Sequence, residues 1–171
     1  MMKTLNKIFA LGFMMVIFAT GSFAQVTASA TASAQVLTPI AIVKRVDMNF
    51  GNLAVNATAG TIVLTPASSR SATGGVTFLN GNSGTVTAGS FEVSGLANAT
   101  YSITLPATPT IISYSGNDMT VDAWASDPTP TGTLTGGAEI VNVGATLNVP
   151  ASSPAGLYTS GTPFEVTVNY N

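Results

Sequence analysis

From Val26 to Val36 the chain alternates without a break: Val26, Ala28, Ala30, Ala32, Ala34 and Val36 are small and apolar, and Thr27, Ser29, Thr31, Ser33 and Gln35 fill the gaps. In an extended strand successive side chains point to opposite faces. This stretch therefore makes a strand with one smooth apolar face and one hydroxyl-rich face. Period-two stretches recur downstream between turn signals. Pro39 to Val43, Met48 to Leu53 with Phe50 as a core anchor, Thr61 to Thr65 and Val76 to Leu79 come first. Asn80-Gly81-Asn82-Ser83-Gly84 is the strongest turn signal. Thr85 to Val93 follows, with a phase shift at Gly89 that predicts a bulge. Tyr101 to Leu105, Ile111 to Tyr114, Met119 to Trp124 and one or two strands within Ile140 to Val149 continue the pattern, and Asp127 to Gly132 reads as a loop. The cleanest strand is the last, with Phe164, Val166, Val168 and Tyr170 on one face and Asn171 after it. About nine short strands without a helical period predict an all-β fold, a two-sheet, immunoglobulin-like sandwich of short antiparallel strands.

The start of the chain has a different pattern. Lys3 and Lys7 precede an apolar run from Ile8 to Thr20, and Ser22-Phe23-Ala24 supplies the small residues of a cleavage site. Residues 1–24 are expected to be a helical, cleaved signal peptide, since the run is short of the about 20 residues that span a bilayer. The mature chain would then begin at Gln25, carry no stable membrane span, and reside in the periplasm, at the cell surface or outside the cell. Residues 25–36 are its N-terminal extension or first strand, and residues 37–171 a single domain. About 147 residues suffice for one core without staples, and there is no cysteine.

Charge removes several function classes. After Gln25 the basic residues are Lys44, Arg45 and Arg70, against seven acidic ones, for a net charge of about −4. No basic stripe is present for a phosphate backbone, so nucleic acid is not an expected partner. Histidine and cysteine are both absent, which takes away the usual bases, soft nucleophiles and zinc ligands. Asp118, Asp122 and Asp127 are the one local carboxylate cluster, and Asn117-Asp118 and Asp127-Pro128 are turn dipeptides. The expectation is no enzyme, no cofactor and no metal. Asn56-Ala57-Thr58 and Asn98-Ala99-Thr100 match a glycosylation pattern but read more simply as turns. Trp124, the single tryptophan, has two readings: a core plug, or a ligand contact that stacks on sugar beside Tyr101 and Tyr114.

Several motifs carry a family resemblance. Phe50-Gly51-Asn52-Leu53, Gly60-Thr61-Ile62-Val63-Leu64, Phe91-Glu92-Val93-Ser94-Gly95 and Val143-Gly144-Ala145-Thr146-Leu147 are followed by an ending that runs Gly156-Leu157-Tyr158 and then Phe164 to Asn171. From about Ala34 to Asn171 the chain resembles the DUF4402 family of exported bacterial proteins. That family is similar to the spore coat protein U group and, more distantly, to fimbrial subunits of the chaperone–usher type. The resemblance implies an incomplete sandwich whose missing strand comes from a neighbouring subunit's N-terminal extension. It also implies other copies or related subunits, and a periplasmic chaperone, as partners. Tyr170 matches the tyrosine common next to the C-terminus of such subunits, whereas their frequent cysteine pair is missing here.

The Val26 to Val36 stretch then has three readings: a strand paired within its own domain, an unstructured Ser/Thr/Ala-rich leader, or a donor strand for another copy. Strand addition draws affinity from main-chain bonds and specificity from alternate side chains. The donor reading makes this a structural or adhesive surface subunit that assembles by strand complementation beside the edge Phe164 to Tyr170. The alternative is a secreted or periplasmic carbohydrate- or matrix-binding sandwich built around Trp124.

Overall fold

A computed structural model describes residues 25–171; the expected signal peptide, 1–24, lies outside them. Eleven strands follow in order: β1 (Ala41–Val46), β2 (Ala54–Leu64), β3 (Arg70–Thr77), β4 (Gly89–Ser94), β5 (Thr100–Thr104), β6 (Thr110–Tyr114), β7 (Asn117–Asp127), β8 (Thr131–Thr133), β9 (Ala138–Val149), β10 (Thr159–Ser160) and β11 (Thr167–Tyr170). They form two antiparallel sheets, one of eight strands and one of three in the order β11-β5-β8.

β9 is the spine of the larger sheet. Its first half pairs with β4, its second half with β2, and its other side with β7. The alternation in its sequence explains this position: Val141, Val143, Ala145, Leu147 and Val149 are buried, while Asn142, Thr146 and Asn148 face outward and are half-exposed. The inward residues divide between two clusters. Ile62, Val76, Met119, Val121, Ala145, Leu147 and Val149 form the first. Phe91, Val93, Tyr101, Leu134, Val141, Val143 and Val168 form the second. The three-stranded sheet supplies Tyr101 and Val168 to the second cluster. The first is closed instead by Met48, Phe50, Leu53, Phe78 and Tyr158, which stand mostly in loops.

Several strands differ from the sequence pattern. Met48 to Leu53 is not a strand, apart from a single bridge between Asn49 and Thr87. Gly51 turns the chain there at φ +72°, and Phe50 still packs on the core as expected. β3 was hidden because Arg70-Ser71-Ala72-Thr73-Gly74-Gly75 has little β propensity, yet it pairs with β2 along the sheet margin. β8 occupies part of the expected loop after Asp127. Gly89 begins β4 in regular register with Val143. Its missing side chain makes room for Phe164, whose ring would lie 3.1 Å from a Cβ there. The bulges fall instead between Lys44 and Val46, Val55 and Gly60, and Asp122 and Ala125.

The last strand is shorter than its pattern. Phe164, Val166, Val168 and Tyr170 do turn inward, but only Thr167–Tyr170 is paired. The ladder stops at Thr167–Thr104 because β5 then runs into Leu105 and Pro106, and proline has no N–H to give. Of the two Asn-x-Thr sites, Asn98-Ala99-Thr100 begins in a turn as expected, whereas Asn56-Ala57-Thr58 lies within β2, where its register with β3 shifts between Val55 and Gly60. Asn56 Oδ1 accepts the Thr58 amide at 2.8 Å, and Asn98 takes a left-handed φ of 63°.

Candidate functional site

An exposed strand edge offers unpaired main-chain groups to another chain, and proteins blunt such edges with charge, proline, bulges or brevity. β1 is guarded by Lys44, Arg45 and a bulge. Lys44 pairs with Asp47 at 2.6 Å, and Arg45 pairs with Glu92. β3 is interrupted by Gly74 at φ +68°. β8 has three residues after Pro130, and β10 has two. β11 has no charge, no proline and no bulge. It pairs with β5 on one side, and no described strand lies on its other side.

β11 and β1, the ends of the two sheets, approach one another. Ile40 and Ile42 on the β1 side, and Val166 and Tyr170 on the β11 side, are all half-buried against the second cluster. The sequence pointed to the β11 lip through the period of Phe164 to Tyr170. It missed the β1 lip, although Ile40 and Ile42 alternate with Ala41 and Val43. Asn171 extends the ladder, its amide donating to the Thr100 carbonyl at 3.2 Å.

Gln25 to Pro39 has no secondary structure and is exposed throughout. Val26 and Val36, at 92% and 96% exposure, bury almost nothing. No strand is assigned between Gln25 and Ile40, a stretch that includes Val26, Ala28, Ala30, Ala32, Ala34 and Val36, and the first strand in chain order is β1.

Trp124 sits elsewhere, on the bulge of β7. It packs against both clusters and lies 4.6 Å from the Phe164 ring, centroid to centroid. Its Nε1 is buried without a hydrogen-bond partner among the described residues. Tyr101 is fully buried, so it shares no exposed platform with Trp124. Its hydroxyl donates to Glu139 Oε2 at 2.8 Å, and the same oxygen accepts the Thr133 amide at 2.8 Å. Burial, then the hydrogen bond and charge of Glu139, push the Tyr101 phenol well above the ordinary tyrosine range. The unfolded chain ionises near pH 10 and the native state does not, so the native state binds the extra proton above that point. The stability tied to this group is complete below pH 10 and is lost as pH rises further. Tyr101→Phe is therefore expected to flatten the alkaline fall in stability by about 1.4 kcal/mol per pH unit, measured by urea unfolding between pH 9 and 11.5. An unchanged slope would contradict the assignment.

The outer face of the larger sheet holds a shallow depression of about 470 Å³, lined by Thr61, Thr73, Asp118, Thr120 and Asn148 among others. Several of its polar groups are already bonded: Thr61 with Thr73 at 2.8 Å, Asp118 accepting from the neighbouring Ser113 hydroxyl at 2.6 Å, and the Asn148 amide donating to the Thr120 carbonyl at 3.3 Å. No aromatic residue lines it. Among the described residues there is no group of three or more acidic side chains placed to hold a metal ion. The asymmetry of the edges leaves β11 and the β1 lip as the candidate site.

A family model described as "Domain of unknown function (DUF4402)" matches residues 40–170. No curated protein and no solved structure matches the chain.

Proposed function

The chain belongs to the DUF4402 family, associated with exported bacterial proteins, and we propose that it is a structural subunit of the cell surface that assembles by β-strand complementation. Family membership and the lack of catalytic or metal-binding groupings among the described residues are consistent with a non-enzymatic protein. In this reading the domain is an immunoglobulin-like sandwich left open between β1 and β11. The segment Val26 to Val36 of another copy fills the opening, and a periplasmic chaperone covers it before assembly.

The observation that carries the reading is the unguarded edge of β11 over half-buried apolar side chains. The alternating, exposed extension of the same chain supplies a matching strand. Its reach is sufficient: the stretch from Gln25 to Val36 extends roughly 40 Å, longer than the run from Phe164 to Tyr170. Alanine methyl groups bury little area at about 25 cal/mol per Å², so affinity falls mainly to main-chain hydrogen bonds of about 0.5–1.5 kcal/mol each. Valines at the two ends of the donor add the larger apolar contacts.

Deleting Gln25 to Val36 is expected to abolish high-mass assemblies of the mature protein, as measured by light scattering after size exclusion. The domain itself should stay folded, because no strand is removed from it. A wild-type protein that is monomeric at every concentration would sink the proposal. The alternative, a carbohydrate- or matrix-binding module around Trp124, has less support, since Trp124 and Tyr101 pack inward.

A further inference from the structure

Tyr170 stands next to the last residue, and its hydroxyl makes two bonds at once. It accepts the Leu96 amide at 2.6 Å and donates to the Thr38 carbonyl at 2.9 Å. Leu96 belongs to the turn between β4 and β5, and Thr38 lies just upstream of β1. The ring of Tyr170 packs on the second core cluster, and its backbone pairs with Tyr101. Gly95 gives the hydroxyl its place, because a Cβ there would collide with Oη and come within 3.1 Å of Cζ. With one lone pair engaged by the Leu96 N–H, the hydroxyl proton is directed to Thr38. Residue 39 is proline and has no N–H for a ladder, so a side-chain bond does the holding at this point.

We infer that Tyr170 is the pin that fixes the root of the N-terminal extension to the last strand. Its consequence rests on the strand-complementation reading. The root of the donor segment and the acceptor edge of one chain move as one body. Docking a strand on β11 therefore also steadies the segment that this chain passes to the next copy, a coupling between two sites through a shared element.

The chain has no cysteine, so Leu37→Cys accepts a single nitroxide label at a half-exposed site. In the full mature protein, Tyr170→Phe is expected to speed the motion of that label about threefold. Exchange of the Leu96 amide should rise about fivefold, for the loss of one hydrogen bond. A control label at Ser71→Cys, on β3, should not change. Gly95→Ala, which displaces the hydroxyl and leaves the tyrosine intact, should reproduce both effects. Unchanged label motion and amide exchange in both variants would overturn the inference, as would equal loosening at Ser71, the mark of general destabilisation. A wild-type chain that never assembles would defeat strand complementation and leave the label result standing.

Discussion

Trp124→Ala is expected to destabilise the domain by about 3 kcal/mol, the lower end of the range of about 3–5 for removing a packed tryptophan. The low end applies because the indole is half-buried. For a domain of this size that lowers the melting temperature by roughly 10 °C. The loss is large because the indole touches both core clusters and backs the Phe164 ring, which in turn meets Phe91 edge-on at 6.0 Å. Removing it opens a void at the seam between the two halves of the sandwich. Trp124→Phe is the informative partner. It keeps a ring against Phe164 and removes a buried N–H that has no acceptor among the described residues. An unsatisfied donor costs about 1–3 kcal/mol, which offsets part of the lost volume, and the net change should lie within about 1 kcal/mol. Thermal melts of both variants, with glycan-array retention alongside, separate the two readings of this residue. An alanine variant that melts with the wild type and loses glycan binding would make Trp124 a ligand contact.

The same tryptophan shows how far the sequence carries. Alternation placed it on a strand, but a period of two does not say which face is inward across a bulge. The register of β7 slips between Asp122 and Ala125, where Ala123 adopts φ +47°, and no residue in that stretch announces it. Strands whose pattern was strong were legible: β5, β6, β9 and the inward face of Phe164 to Tyr170. β3 was not, because its stability comes from pairing with β2 rather than from its own side chains. The candidate site divides in the same way. The β11 lip and the extension carry clear periods, so the sequence named them. The β1 lip and the two bonds of the Tyr170 hydroxyl depend on contacts between distant segments, up to 132 residues apart, which no local pattern encodes.

Arg70 is the strongest case of such a contact, and Arg70→Met is expected to cost about 2–3 kcal/mol. In the sequence it is one of three basic residues after Gln25, with nothing to mark it. In the fold its Nη1 donates to the Phe50 carbonyl and, at 3.1 Å, to Asn52, while Nη2 donates to Ser83 at 3.0 Å. The guanidinium lies 4.0 Å above the Phe78 ring. Burial lowers its pKa from the ordinary arginine value, and the partial loss of water strengthens each charged bond it makes. These bonds tie together the two loops, around Phe50 and Ser83, that close the first cluster in place of a second sheet. Gly51 completes the device: at φ +72° any Cβ would lie 2.6 Å from Nη1, so the loop can wrap the guanidinium only with glycine there. Hydrogen bonds to charged groups contribute about 1.5–3 kcal/mol each, but the freed carbonyls lie near solvent and regain water, which holds the net cost to the figure above. Arg70→Lys should recover little of it, since one ammonium cannot reproduce a planar fork reaching three carbonyls. Urea midpoints would measure the global loss. Exchange at the Asn52 amide, which donates to Ser83 at 2.8 Å, would report the loops separately and should accelerate more than exchange in β9. A lysine variant as stable as the wild type would show that the loops hold without the fork, and that packing of Phe50, Leu53 and Phe78 alone closes this half of the sandwich.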